Sequence, residues 1–116
     1  SQKKNKQTFK VLKNQLVKVL EKKINKNNII VAYEPIWSIG TGKIPNQKDL
    51  LKTIIHIKKV LKSIYKKNSV AVLYGGSVDG NNVNMLKEIR EIDGFLIGGA
   101  SKSSKKFIDI IKNYYR

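Results

Sequence analysis

The chain has 116 residues, which is enough for one small domain with a modest hydrophobic core. Its formal net charge is +16, from 24 lysines and arginines against 8 acidic residues. The sequence has no cysteine and a single histidine, His56, which excludes a disulfide framework and argues against metal sites built on thiolates or imidazoles. No apolar run approaches the ~20 residues that span a bilayer, and no basic-then-apolar leader opens the chain, so we expect a cytoplasmic protein without cofactors or metals.

The positive charge raises the question of a nucleic-acid partner. Nucleic-acid-binding proteins usually mix arginine with lysine, because the planar guanidinium group forms paired hydrogen bonds with phosphates and guanine edges. Here only Arg90 and Arg116 are arginines, and the lysines are spread over every predicted helix. Together with the abundant asparagine and isoleucine, this is typical of A/T-rich codon usage acting on solvated helix faces. Residues 1–10 and 66–67 could contact phosphate backbones non-specifically, but we predict no dedicated nucleic-acid binding and no membrane partner.

Helical and strand patterns alternate along the chain. Helices are predicted at residues 7–23, 47–66 and 81–89, with a last helix that begins near Ser103 or Ser104. Strands are predicted at residues 29–33, 70–74 and 95–97. Asn46 is a good N-cap for the second helix. Short apolar strands separated by helices are typical of a parallel sheet with crossover helices, so the sequence predicts one α/β domain over residues 1–116.

The first strand runs into Glu34, and Pro35 then prevents the strand from continuing. A carboxylate where a buried strand emerges is costly to desolvate and is seldom present for stability. Catalytic residues of α/β barrels lie at this end of the strands. A solvated glutamate before a surface loop fits the pattern about as well.

Each predicted strand ends in a loop of small residues, at positions 40–42, 75–77 and 98–101. In a parallel sheet these loops share one edge. Glycine allows backbone N–H groups to approach an oxyanion, and the loops after the last two strands of a barrel often bind phosphate. Three such loops beside Glu34 suggest a small phosphorylated ligand next to a proton acceptor. The absence of Walker and dinucleotide-binding patterns argues against nucleotides.

Three motifs closely resemble the signatures of the triosephosphate isomerase family. They are Ala-Tyr-Glu-Pro-Ile-Trp-Ser-Ile-Gly-Thr-Gly-Lys (32–43), Leu-Tyr-Gly-Gly-Ser-Val (73–78) and Ile-Asp-Gly-Phe-Leu-Ile-Gly-Gly-Ala-Ser (92–101). Their order and separations match as well, so the resemblance covers the chain from the fifth helix of the family's fold to the eighth. It implies the C-terminal portion of a TIM (β/α)8 barrel, about three strands and four helices of a fold that needs about 250 residues.

The resemblance also implies residue roles. Glu34 would be the base that moves a proton between the two carbons of a triose phosphate, interconverting glyceraldehyde 3-phosphate and dihydroxyacetone phosphate through an enediolate. Backbone N–H groups at four positions would bind the substrate phosphate: Gly40, Ser77, Gly98 and Gly99. The mobile lid and its latch would comprise Pro35, Ile36, Trp37, Ser38, Ile39, Thr41, Gly42, Lys43 and Tyr74, with Ser77 also bonding the closed lid. Ile39 and Leu96 would shield the Glu34 carboxylate from water, and this desolvation would make it a stronger base.

The family's active site also takes an Asn-x-Lys pair from its first strand and a histidine from its fourth, and this sequence contains neither strand. His56, in the lysine-rich second helix, is predicted to be a surface or packing residue. We therefore expect the isolated chain to be poorly folded and inactive, with open sheet edges and an apolar sheet face, and the complete protein to be a homodimer. A catalytically decayed basic fragment or binding module is the alternative.

Overall fold

A computed structural model describes residues 2–20, 29–35, 38, 43–65 and 70–116. The elements run in the order α1 (Gln2–Leu20), β1 (Val31–Tyr33), α2 (Gln47–Tyr65), β2 (Val72–Tyr74), α3 (Val83–Leu86), β3 (Gly94–Phe95) and α4 (Ser104–Tyr114), with a 3-10 turn over Gly99–Lys102 before α4. The three strands form a parallel sheet in the order β1-β2-β3. This confirms the predicted α/β architecture of three strands and four helices.

One face of the sheet packs against helices. In β2, Val72 and Tyr74 are completely buried, and the β1 residues opposite them are Val31 and Tyr33. They join a hydrophobic core to which the helices contribute residues at three- and four-residue spacing: Leu20, Leu50, Ile54, Ile57, Leu61, Val83, Leu86 and Ile110.

Within the described residues, the opposite face of the sheet carries exposed apolar side chains. Because side chains alternate along a strand, Ile30 and Leu96 lie on this second face, and they are 67% and 45% exposed. Parallel sheets normally have both faces covered. The open apolar face expected from the sequence is therefore present.

The element boundaries differ from the predicted ones. α1 begins at Gln2 rather than Gln7, because its lysine- and glutamine-rich first turns favour helix without contributing apolar residues to the pattern. β2 is shorter than the apolar run that contains it, and β3 is Gly94–Phe95 rather than residues 95–97, because the ladders pair only these residues. The predicted helix at 81–89 is reduced to the single turn of α3, with non-helical turns on either side.

The predicted starts of α2 and α4 are confirmed. Asn46 Oδ1 accepts a hydrogen bond from the Lys48 N–H at 2.8 Å, and Ser103 Oγ accepts one from the Lys106 N–H at 3.3 Å. His56 has the predicted packing role, because its ring stacks on Phe9 with centroids 4.4 Å apart and its Nε2 lies 2.9 Å from the Phe9 carbonyl oxygen.

Candidate functional site

Glu34 lies beside Gly75 at the carboxyl edge of the sheet. Tyr33 and Tyr74 are paired in register, so the next residue of each strand falls at the same level, and the Gly75 N–H donates to the Tyr33 carbonyl at 2.9 Å. A Cβ added to Gly75 would lie 2.6 Å from Glu34 Cγ and 2.9 Å from Oε1. The Glu34 side chain therefore crosses the Gly75 backbone at a distance that only glycine permits.

The loops after β2 and β3 line one cleft of about 580 Å³. Gly75, Gly76 and Ser77 come from the first loop, and Gly98, Gly99 and Ala100 from the second; the remaining lining residues are Val78, Asp79, Gly80, Asn81, Lys106 and Asp109. The structure thus brings the second and third predicted glycine loops together, with the Glu34 side chain against Gly75.

No packing contact among the described residues requires glycine at positions 98 and 99. Both are exposed, and a Cβ added to either would meet no atom within 4 Å. The space that a side chain would fill is open to the cleft. Glycine at these positions therefore leaves room for a ligand to approach the backbone.

Ser38 connects the segment after β1 to the loop after β2. Its side chain is completely buried, and its Oγ donates to the Lys43 carbonyl oxygen. The same Oγ lies 3.0 Å from the Tyr74 hydroxyl and accepts from the Ser77 N–H at 3.2 Å, while the Ser77 hydroxyl donates to the Ser38 carbonyl. Ser38, Tyr74 and Ser77 are thus in direct contact, and the Ser77 amide expected to bind phosphate already has a hydrogen-bond acceptor.

Burial raises the pKa of the two tyrosines at the ends of β1 and β2, Tyr33 and Tyr74. It raises the pKa of Tyr33 above the usual 10.0, and the neighbouring Tyr74 adds to the increase. Burial likewise raises the pKa of Tyr74, partly offset by its hydrogen bond with Ser38. Both phenols are therefore neutral hydrogen-bonding groups near neutral pH.

The shielding of Glu34 by Ile39 and Leu96 stays a prediction, because Ile39 lies outside the described residues. The structure places Glu34 at the surface, and Leu96, one of its two predicted shielding residues, is itself 45% exposed on the open sheet face. Among the residues that the structure describes, none covers that face, so water reaches the carboxylate.

Several predicted site residues lie outside the described residues, namely Ile36, Trp37, Ile39, Gly40, Thr41 and Gly42. Of the other lid residues, Pro35 is buried and Lys43 is exposed. Within the described ranges, no group of three or more histidine, cysteine, aspartate or glutamate side chains is arranged to hold a metal ion, and no helix is long and apolar enough to cross a membrane.

Besides Asp79, sequence reasoning missed two charged residues that line the cleft, Lys106 and Asp109. Both lie on α4, which follows directly after the Gly98 loop, and their three-residue spacing places them on one side of the helix. The position of Lys106 and Asp109 just after a glycine loop was the available signal, but the chain has so many lysines that this one did not stand out.

Comparison with known proteins matches the chain to a family over almost its whole length. The family model described as Triosephosphate isomerase matches residues 1–114. The chain is similar to the triosephosphate isomerase of Chlamydia abortus, with 37% identity over 112 residues covering 94% of this chain and 44% of the relative. It is similar to those of Mycoplasma genitalium (41% identity, 75% of this chain and 37% of the relative) and Mycoplasma mobile (42% identity, 88% and 40%).

The chain spans less than half the length of these relatives. The matched region includes β1, β2 and β3 with Glu34 and both described glycine loops. The family and fold expected from the three motifs are confirmed: the chain belongs to the triosephosphate isomerase family and contributes a parallel, three-stranded portion of its barrel.

Proposed function

We propose that this chain supplies the proton-transferring base and the phosphate-binding loops of a triose-phosphate isomerase. The reaction would interconvert glyceraldehyde 3-phosphate and dihydroxyacetone phosphate. The observation that carries the proposal is the contact of the Glu34 side chain with Gly75, a residue that lines the same cleft as Gly98 and Gly99.

Glu34 would act as the base. A carbon-bound proton next to a carbonyl is removed efficiently only by a base held within about 3 Å of it. In this arrangement Glu34 Oε1 would take the proton from one substrate carbon and return it to the next, with an enediolate between the two steps. The glycine at position 75 leaves the space that this side chain occupies.

The glycine loops would hold the phosphate. The open space at Gly98 and Gly99 allows a phosphate oxygen to approach their backbone, where N–H groups are good donors to an anion. Ser77 would join them once its amide is shared with, or released from, Ser38. The Ser38 contacts would hold the lid segment against the loop after β2, and Gly40 would complete the phosphate site from the lid.

The remaining parts of the activity would come from outside these residues. A lysine and a histidine on other strands of the barrel would supply the cation and the group that polarises the carbonyl. The same strands would cover the open sheet face, bring Ile39 and Leu96 around Glu34, and thereby dehydrate it. We propose a homodimeric, cytoplasmic enzyme without a cofactor as the complete protein.

The test is solvent-deuterium exchange into the substrate, measured for this chain alone and co-expressed with the N-terminal portion of the Chlamydia abortus relative. We expect exchange only in the co-expressed sample. Glu34→Asp withdraws the carboxylate by about one bond length, so exchange should fall about 100-fold, whereas the control Glu91→Asp should leave the rate unchanged.

Three results bear on different parts of the proposal. An unchanged rate in Glu34→Asp would remove Glu34 as the base. Exchange catalysed by the isolated chain would contradict the expected need for further strands. Phosphate binding without any exchange in the co-expressed sample would favour a decayed binding module over an enzyme.

A further inference from the structure

We propose that Lys106 supplies the positive charge that attracts the substrate phosphate into the cleft. This inference rests on the proposed function, because it assumes that the cleft between the two glycine loops is the phosphate site. It adds a binding residue that neither the motifs nor the resemblance assigned.

The start of α4 positions Lys106 at the cleft. Ser103 caps the helix by accepting a hydrogen bond from the Lys106 N–H at 3.3 Å, which fixes Lys106 in the first turn. There it lines the same cleft as Gly98 and Gly99 and remains exposed to solvent. In the described part of the chain it is the one cationic residue that lines this cleft.

The other two charged residues that line the cleft are acidic, so Lys106 is the residue that can offset their repulsion of a phosphate. Asp79 also lines the cleft, but its Oδ1 accepts the N–H groups of Asn81 and Asn82 at 2.8 and 2.7 Å, which partly compensates its charge. Asp109 lines the cleft one turn after Lys106, and among the described residues no hydrogen-bond donor contacts its carboxylate. Without Lys106 the charged residues of the described lining would both be acidic, Asp79 and Asp109, and their charge would repel a phosphate dianion.

The probe is inorganic phosphate, titrated into the complex of this chain with the co-expressed N-terminal portion of the Chlamydia abortus relative, while the Gly98 and Gly99 amide resonances of this chain are followed by NMR. Lys106→Gln should raise the dissociation constant about two- to fivefold, the range for an exposed charge pair, and should weaken its dependence on salt. Lys105→Gln is the matched control: it removes an exposed lysine from the same turn that does not line the cleft. Asp109→Asn should act in the opposite direction and tighten binding.

The outcomes separate this inference from the proposed function. Equal effects of Lys106→Gln and Lys105→Gln, with phosphate still shifting the Gly98 and Gly99 resonances, would overturn the role of Lys106 and leave the phosphate site intact. If phosphate shifts neither glycine resonance in the unmodified complex, the phosphate site itself is wrong and the inference falls with it. Weaker binding in Lys106→Gln alone, together with tighter binding in Asp109→Asn, would support it.

Discussion

Ser38→Ala removes the hydroxyl that joins the segment after β1 to the loop after β2. A serine hydroxyl has one proton to donate and two lone pairs. The Ser38 proton goes to the Lys43 carbonyl, so the contacts with Tyr74 and Ser77 must both be accepted by Ser38, and the Tyr74 hydroxyl is the donor. All the hydrogen-bonding capacity of this buried group is used.

The expected loss of stability in Ser38→Ala comes from the buried groups that the mutation leaves without a hydrogen-bond partner. Without Ser38 Oγ, the completely buried Tyr74 residue loses the acceptor for its hydroxyl, and a stranded buried polar group costs about 1–3 kcal/mol. With the weaker Ser77 bond also lost, we expect Ser38→Ala to lower the free energy of unfolding by about 2–3 kcal/mol. Tyr74→Phe should cost only about 1 kcal/mol, because it removes the donor together with its need for a partner.

The assay is urea unfolding followed by circular dichroism, with sucrose added to stabilise the folded state. The double variant Ser38→Ala/Tyr74→Phe should cost about 1 kcal/mol less than the sum of the single variants. Ser104→Ala, an exposed serine at the start of α4, is the control and should stay within about 0.5 kcal/mol of the unmodified chain. An additive double variant, or a Ser38→Ala midpoint equal to that of the control, would refute the reasoning.

Two further predictions concern stability. Lys87 Nζ donates to the Asn113 carbonyl at 2.9 Å and lies within reach of the two later carbonyls of Tyr114 and Arg116. Lys87→Met should therefore lower the free energy of unfolding in urea by about 1 kcal/mol, whereas the control Lys52→Met should leave it unchanged. Equal effects of the two variants would show that the Lys87 contact contributes nothing. Burial raises the pKa of the Tyr33 hydroxyl above 10.0 in the folded state. The contribution of the neutral Tyr33 to the stability of the fold is therefore complete below pH 10.0 and is lost as the pH rises through the pKa of the folded state. Tyr33→Phe should therefore reduce the fall in unfolding free energy between about pH 9 and about pH 11, and an unchanged fall would contradict the shift.

Features that depend on residues close together in the sequence could be predicted from it. The N-cap at Asn46 depends on a side chain and an amide two residues away, so the order of residues was enough to predict it, and the start of α4 near Ser103 or Ser104 was predicted as well. The packing role of His56 followed from its place in an amphipathic helix. The three motifs predicted both the family and the meeting of two glycine loops, because parallel strands bring their carboxyl ends to one edge.

What the sequence could not decide is which surfaces face each other across the fold. Whether water reaches the Glu34 carboxylate depends on which residues pack against the second face of the sheet. The structure shows Glu34 exposed, and the apolar side chains of Ile30 and Leu96 are exposed as well. The saturation of Ser38 by three partners, and the presence of Lys106 among the cleft residues rather than on an ordinary solvated helix face, are likewise matters of tertiary placement. The sequence by itself determined the family and the order of elements and supplied the candidate site residues, since these depend on local pattern. The burial of each side chain and its contacts were decided only by the tertiary structure, because they depend on segments distant along the chain.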